Sequence, residues 1–313
     1  MPIRSSDDKT KLQKDLDSVI HWSAVNNMKL NAKKFELVCH SQSRINQNLN
    51  LLKELPFNLC FDQYIVSDNL DLLPSVCVRD LGVYLDSELD WETHIFNVCS
   101  VAKRLCAWVL NIFYTRDREV LLTVFNSLVR SRVEYCCQIW SPAKIKLIGE
   151  LENIQRRFTK RISGMYDFDY WDRLKQLNIL SLQRRREKMI LILIWRIKNG
   201  MASNDIQLEF GLGRSNLKSG SASKAVIKPL PKTRGKALSL FENSFMVKGA
   251  KLWNYLPSSL REIQHLHLFV HTLDQYFKLI PDKPPVNGYY HVNDNSLISY
   301  RCPKFNLDSV LKL

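Results

Sequence analysis

Glycine is scarce in this 313-residue sequence, 10 in all. Neither G-x-G-x-x-G nor G-x-x-x-x-G-K-[ST] occurs, and the one G-x-G, at Gly211 and Gly213, has Asn216 where a third glycine would be needed. Rossmann and P-loop readings therefore have no support, because both need glycine where backbone approaches phosphate. The 8 cysteines are scattered without a C-x-x-C. That spacing excludes a disulfide framework and points to free thiols in a reducing, intracellular compartment. The N-terminal MPIRSSDDKTKL has no apolar run of the kind a signal peptide needs. The longest strongly apolar run, Met189 to Trp195, falls well short of the roughly 20 residues of a membrane span. No membrane partner is expected, and no internal repeat is found.

What is present is a core-forming composition with a basic excess. The chain is 45% hydrophobic and 10% aromatic, enough to bury a core and too much for a disordered chain. Lysine and arginine number 45 against 31 acids, a net charge of +14. That balance favours a polyanion or an acidic surface as partner. The excess is uneven. Residues 1–99 hold 10 basic and 14 acidic residues, whereas residues 144–198 hold 14 and 6. The asymmetry marks a basic module that starts near residue 100.

Periodicity predicts an α+β fold, predominantly helical, with a small antiparallel sheet first and a helical module after it. Leu12, Leu16, Val19 and Ile20 mark a helix over about 8–25, with Ser5 or Ser6 as N-cap. Glu36–His40, Phe57–Phe61, and Val76–Leu85 with a break near Asp80 read as extended. Beyond Trp91 the apolar spacing turns helical. The stripes are Ile95–Val109, Val120–Val129, Leu147–Ile162 and Met189–Ile197, the last ended by Asn199-Gly200. Residues 211–236 are rich in Gly, Ser, Lys and Arg and hold no acid, which reads as a basic linker. Order resumes at Phe241–Leu256, and a last helix is expected over about 266–279. The expected divisions are 1–95, 96–200, 201–236 and 237–313.

Few residues suggest catalysis. Asp7 and Asp8 precede a helix, where acids interact well with the helix N-terminus, so no metal role is assigned to them. Asp80, Asp86 and Asp90 flank an apolar strand and read as turn or cap residues. His265, His267 and His271 have helix spacing, but only Glu262 could complete a metal set, so they read as an exposed face. Cys136 and Cys137 read as core thiols. The strongest signal is basic. Arg156, Arg157, Lys160 and Arg161 lie opposite an apolar stripe, Arg184, Arg185, Arg186 and Lys188 open the next long helix, and Lys103 and Arg104 sit on an earlier one. Rows of this kind position a phosphate backbone. Tyr166, Phe168, Tyr170 and Trp171 lie between the clusters, and core packing is expected for them rather than base stacking.

Six segments resemble a known family. Trp22 with Met28-Lys29-Leu30-Asn31 and Lys34 is similar to a W…M-x-L-N-x-x-K box. Asp80-Leu81-Gly82-Val83-Tyr84-Leu85-Asp86 with Leu89, Trp91 and His94-Ile95 is similar to an LGV-x-LD…L-W-x-x-H-I box. Arg132 to Cys136 with Trp140-Ser141-Pro142, Leu151 to Phe158, Arg173 to Arg186, and Phe245 to Pro257 supply four more. In this order they resemble the reverse transcriptase of non-LTR retrotransposons of the jockey-like kind, downstream of its catalytic hairpin.

The resemblance implies a palm remnant over 1–95, a helical thumb-like module over 96–200, a basic linker over 201–236 and a C-terminal helical region over 237–313. The parent activity would be RNA-directed DNA polymerisation with Mg²⁺. The catalytic aspartates of that family lie in motifs before the segment matched here, so no catalytic residue and no cofactor are assigned to this chain. Lys34 matches a lysine that would position a nucleotide in a complete parent. The implied partner is RNA or an RNA–DNA hybrid, the implied location nuclear, and an exposed palm surface would favour self-association. A decayed reading frame without a selected function and a protein-interaction module remain as alternatives.

Overall fold

The computed structural model describes residues 6–31, 34–38, 40, 64–67, 70–72, 74–202, 208–210, 224–227, 236–284 and 295–300. The expected strand at Phe57–Phe61, Ser5 as a cap, and most of the basic linker lie outside these residues. The chain divides into two compact units, Met1–His94 and Ile95–Leu313. Helix dominates, as the apolar spacing predicts.

The first unit opens with helix α1, Ser6–Val25, carrying Asp7 and Asp8 in its first turn. There the carboxylates meet the positive end of the helix dipole. Leu12, Leu16 and Ile20 are half-buried in one cluster with Phe35 and Leu37, whereas Val19 is exposed. Among the described residues the strands form three pairs, two antiparallel as expected and one parallel. β1 (Leu37–Val38) pairs parallel with β4 (Pro74–Ser75), and β2 (Tyr64–Ser67) pairs antiparallel with β3 (Leu70–Leu72). β5 (Cys77–Asp80) pairs antiparallel with β6 (Val83–Asp86). Period-two alternation names a strand but not its neighbour, so spacing alone does not reveal the parallel pair.

The β5–β6 hairpin turns at Leu81 and Gly82, both at positive φ (43° and 89°). That sign pattern belongs to type I′ turns, whose twist matches paired strands. Asp86 then holds the exit loop. Its Oδ1 accepts from the amides of Glu88 (3.0 Å) and Asp90 (3.1 Å), and Oδ2 accepts from Trp91 (3.2 Å). This is the capping role the sequence suggests.

His94 is buried, and its Nδ1 accepts the Tyr84 amide at 3.3 Å. Burial lowers its pKa from 6.5 to about 4. A depressed folded value means that its contribution to stability is complete above pH 6.5 and is lost as pH falls through about 4. We expect the His94 ring to titrate near pH 4 by NMR, with the first unit weakening over that window. A midpoint near 6.5 would contradict its burial.

The second unit is helical. It contains α2 (Glu92–Ile112) from Ile95 onward, α3 (Arg118–Val124), a π-helical stretch Phe125–Arg130, α4 (Ser131–Glu134), α5 (Cys137–Trp140), α6 (Ile145–Thr159), α7 (Tyr170–Leu177) and α8 (Leu182–Lys198). It continues with α9 (Lys236–Asn243), α10 (Phe245–Tyr255), α11 (Ser258–Arg261) and α12 (Leu266–Leu279). The predicted stripe of α6 is buried throughout: Leu147, Leu151, Ile154 and Phe158, with Ile162 beyond its end. Phe158 meets Phe125 with ring centroids 4.7 Å apart. Asp117 caps α3 through the amides of Glu119 and Val120. Asn178 ends α7 in the left-handed conformation that asparagine tolerates.

One apolar cluster joins α8 to α10 and α12 through Ile190, Ile194, Trp195, Trp253, Phe269 and Leu273. Residues on both sides of the linker thus share a core. Gly249 on α10 packs directly on α8: a Cβ there would lie 2.8 Å from Ile194 Cδ1 and 3.4 Å from Ile190 Cγ2. Gly249→Val is expected to cost about 1–3 kcal/mol through overpacking. Urea unfolding measures it, and an unchanged midpoint would mean that the helices do not meet there.

By length and composition, α2 is the one helix among the described residues apolar enough to cross a membrane. Its centre carries Lys103 and Arg104, each disfavoured at a bilayer centre by roughly 2.5–3.5 kcal/mol.

Candidate nucleic-acid interface

The ten basic positions separate into two classes. On α6 the helical phase that buries Leu151, Ile154 and Phe158 turns Arg157 outward, with Lys160 and Arg161 exposed just past its last turn. Lys160 Nζ stands 4.3 Å from the Tyr166 ring centroid. Tyr166 and Phe168 are 67% and 42% exposed. This corrects the expectation of core packing for both, because the loop between α6 and α7 carries them outside the helix stripes. Tyr170 is buried and Trp171 half-buried, as expected. Lys103 and Arg104 are exposed on α2, and Lys103 bonds Glu150 on α6 at 3.1 Å. Glu150 precedes Arg157 by two helical turns, roughly 10 Å along α6.

Arg156 belongs only partly to this surface. It is half-buried, bonds Asn153 Oδ1 at 2.6 Å, and lays its guanidinium 4.6 Å from the Tyr170 centroid.

The α8 cluster is not an open basic row. Arg184 and Arg186 are each 1% exposed. Arg184 faces Asp282 at 4.0 Å. Arg185 pairs with Glu134 through both carboxylate oxygens, one contact at 2.9 Å. Lys188 pairs with Asp274 on α12. Arg184 and Arg186 are therefore corrected from ligand-facing to interior positions, and Arg185 and Lys188 are held in ion pairs. The physical reason is that α8 is covered on more than one side. Its acidic partners come from positions 86–98 residues later or 51 residues earlier, beyond the reach of local pattern.

Sequence reading missed the polar network that fixes this arrangement. Glu152 on α6 is buried and accepts the Tyr170 hydroxyl and the amides of Leu182 (3.1 Å) and Gln183 (3.3 Å) at the start of α8. Gln155 donates to the Tyr170 hydroxyl and to the Leu180 carbonyl, both at 3.1 Å. Arg173 reaches the Arg156 carbonyl at 3.0 Å. Ser181 caps α8, and Asp282 accepts from the Ser181 hydroxyl at 2.7 Å. Burial pushes the Glu152 and Glu187 carboxyls above their usual range. A signal was present: Ile148, Glu152, Gln155 and Thr159 follow 4-3-4 spacing beside the apolar stripe, so polar residues occupy a second inward face.

Lys34 is exposed, and its amide bonds the Asn31 carbonyl at 2.9 Å. His265, His267 and His271 are all exposed. Cys137 is buried and Cys136 half-buried. Asp7 and Asp8 sit in the first turn of α1, and both Asp86 oxygens accept backbone amides. Among the described residues, no group of three or more His, Cys, Asp or Glu converges to hold a metal.

No family model matches the chain, and no solved structure matches it. Among curated proteins it is similar to an uncharacterized protein of Caenorhabditis elegans, 28% identical over 126 residues, which are 39% of this chain and 64% of that one. The match thus spans less than two thirds of the relative's length.

Proposed function

We propose that the chain is the C-terminal part of a retroelement reverse transcriptase, and that it binds RNA or an RNA–DNA hybrid through its helical module. The observation that carries this reading is the exposed basic end of α6, Arg157, Lys160 and Arg161, with Lys160 over the exposed Tyr166 ring and Phe168 exposed in the same loop. Exposed cations neutralise phosphates and release counterions, and exposed aromatic faces offer stacking platforms for unpaired bases. Arg104 is a further exposed cation, on α2. The order of the six sequence boxes is what supports a polymerase ancestry. In that reading Lys34 is a nucleotide-positioning residue of the complete parent, and the parent's Mg²⁺ chemistry lies outside the residues described. Binding, rather than nucleotidyl transfer, is the function proposed.

The test is titration of the purified chain with an RNA–DNA hybrid across a salt series. The logarithm of affinity is expected to fall with the logarithm of salt by about 0.9 per neutralised phosphate. A folded chain that fails to bind at low salt would end the proposal.

One observation favours a second reading, a protein-interaction module. Val19, Trp22, Val25 and Met28 are each at least half exposed around the end of α1. An apolar cluster of this kind is a contact surface for protein, including a second copy of the chain. Self-association that persists at high salt would favour it.

A further inference from the structure

A cavity of about 530 Å³ lies within the second unit, beside the start of α6 and between α8 and α10. Its size falls in the roughly 300–1,000 Å³ range of small-molecule sites. Four cations line it: Lys144, Arg186, Lys248 and Lys251. Two carboxylates line it as well, Glu187 and Glu242. Glu187 is already engaged, since it accepts the Leu297 amide at 2.9 Å and lies beside Arg184. The lining therefore has a net positive charge.

Two independent features point to an anion. Arg186 is 1% exposed, and its Nε and Nη1 have no hydrogen-bond partner among the described residues. Its neighbouring acids Glu134, Glu152 and Glu187 balance its charge without satisfying those two atoms. As a lining residue that is otherwise buried, Arg186 brings a positive charge to the cavity wall, which favours an anionic acceptor there. The second feature is the N-terminus of α6, a 15-residue helix whose N-cap residue Lys144 gives it no side-chain cap. Its first amides and the helix dipole favour a negative group there. Lys248 Nζ sits 3.4 Å from Ser141 Oγ on the same wall. Pro142, Ile148 and Ile298 add apolar surface to the lining.

We propose that this cavity binds a phosphate monoester with a compact body, of the size of a nucleoside monophosphate. The phosphate is held by Arg186 and by Lys144, Lys248 and Lys251, and the body lies against Pro142, Ile148 and Ile298. The site shares no residue with the basic end of α6. Its success or failure is thus separate from that of hybrid binding, and the triple replacement of Arg157, Lys160 and Arg161 leaves it intact.

The probe is adenosine 5′-monophosphate, titrated calorimetrically into the full chain, with adenosine as control. Saturable binding of the monophosphate and none of adenosine is the expected result. Lys248→Ala and Lys251→Ala, on the more accessible side of α10, should each weaken it about tenfold, the usual scale for one charge-assisted contact. Circular dichroism and thermal midpoint of both variants should match the parent chain. Absence of saturable binding by the folded parent overturns the proposal, as does undiminished affinity in the double variant. Two sources of the phosphate are separated by competition. Displacement by 5′-phosphorylated but not 5′-hydroxyl RNA supports the end of a nucleic acid. Displacement by neither supports a free nucleotide.

Discussion

Glu152→Ala is expected to destabilise the second unit by about 3–5 kcal/mol, the scale for removing one partner of a buried charged network. Three consequences act together. The Tyr170 hydroxyl loses its acceptor inside the core. The amides of Leu182 and Gln183 lose theirs, and a helix end buried without partners is unfavourable. Arg186 keeps its charge and loses one of the acids that balance it. A domain is typically stable by only about 5–15 kcal/mol, so this variant should shift the urea midpoint far more than any exposed substitution. Glu152→Gln, which keeps the shape and one acceptor, should cost less.

The pH dependence gives an independent check. Burial raises the Glu152 carboxyl above its ordinary 4.5 in the folded chain. A raised folded value means that its contribution is complete below pH 4.5 and is lost as pH rises through the folded value. The penalty of Glu152→Gln relative to the parent should therefore be largest at low pH and shrink as pH rises. A cost for Glu152→Ala under about 1 kcal/mol would show that the network is not formed. His94 has the opposite sign, so its contribution is lost as pH falls, whereas that of Glu152 is lost as pH rises.

The second large effect concerns binding. Changing Arg157, Lys160 and Arg161 together to Ala should flatten the salt dependence of hybrid binding. The slope should fall by up to about 0.9 for each phosphate that is no longer neutralised, so by about 2–3 in all. Affinity at low salt should fall with it. Stability should change little, because all three side chains are exposed. Arg185→Ala with Lys188→Ala should do the reverse. Those side chains are tied to Glu134 and Asp274, so their removal should lower stability and leave the salt slope unchanged. If both sets altered the slope equally, the division between open and interior cations would be wrong.

These two predictions differ because the sequence displays all ten cations alike. A run such as Gln183-Arg184-Arg185-Arg186 looks like a solvated basic row when only neighbours along the chain are considered. The acids that neutralise it, Glu134, Glu152, Asp274 and Asp282, are brought to it by folding. The same holds for the cavity, whose walls come from segments near 141–148, 183–187, 242–251 and 296–299. Local spacing cannot report such an encounter.

The sequence by itself determined the helical character of the second unit, the α6 stripe from Leu147 to Phe158, the last helix at Leu266–Leu279 and the capping role of Asp86. Each rests on short-range physics: helical period, turn chemistry, and side chains bonding amides close by along the chain. Only the tertiary structure decided which arginines face water, that Tyr166 and Phe168 are exposed, and that β1 pairs in parallel with β4. It also decided that Gly249 lets α10 approach α8, and that Arg186 lines a cavity. Burial and charge compensation depend on groups distant in sequence, and the cost of desolvating a cation can be judged only when its neighbours are in place.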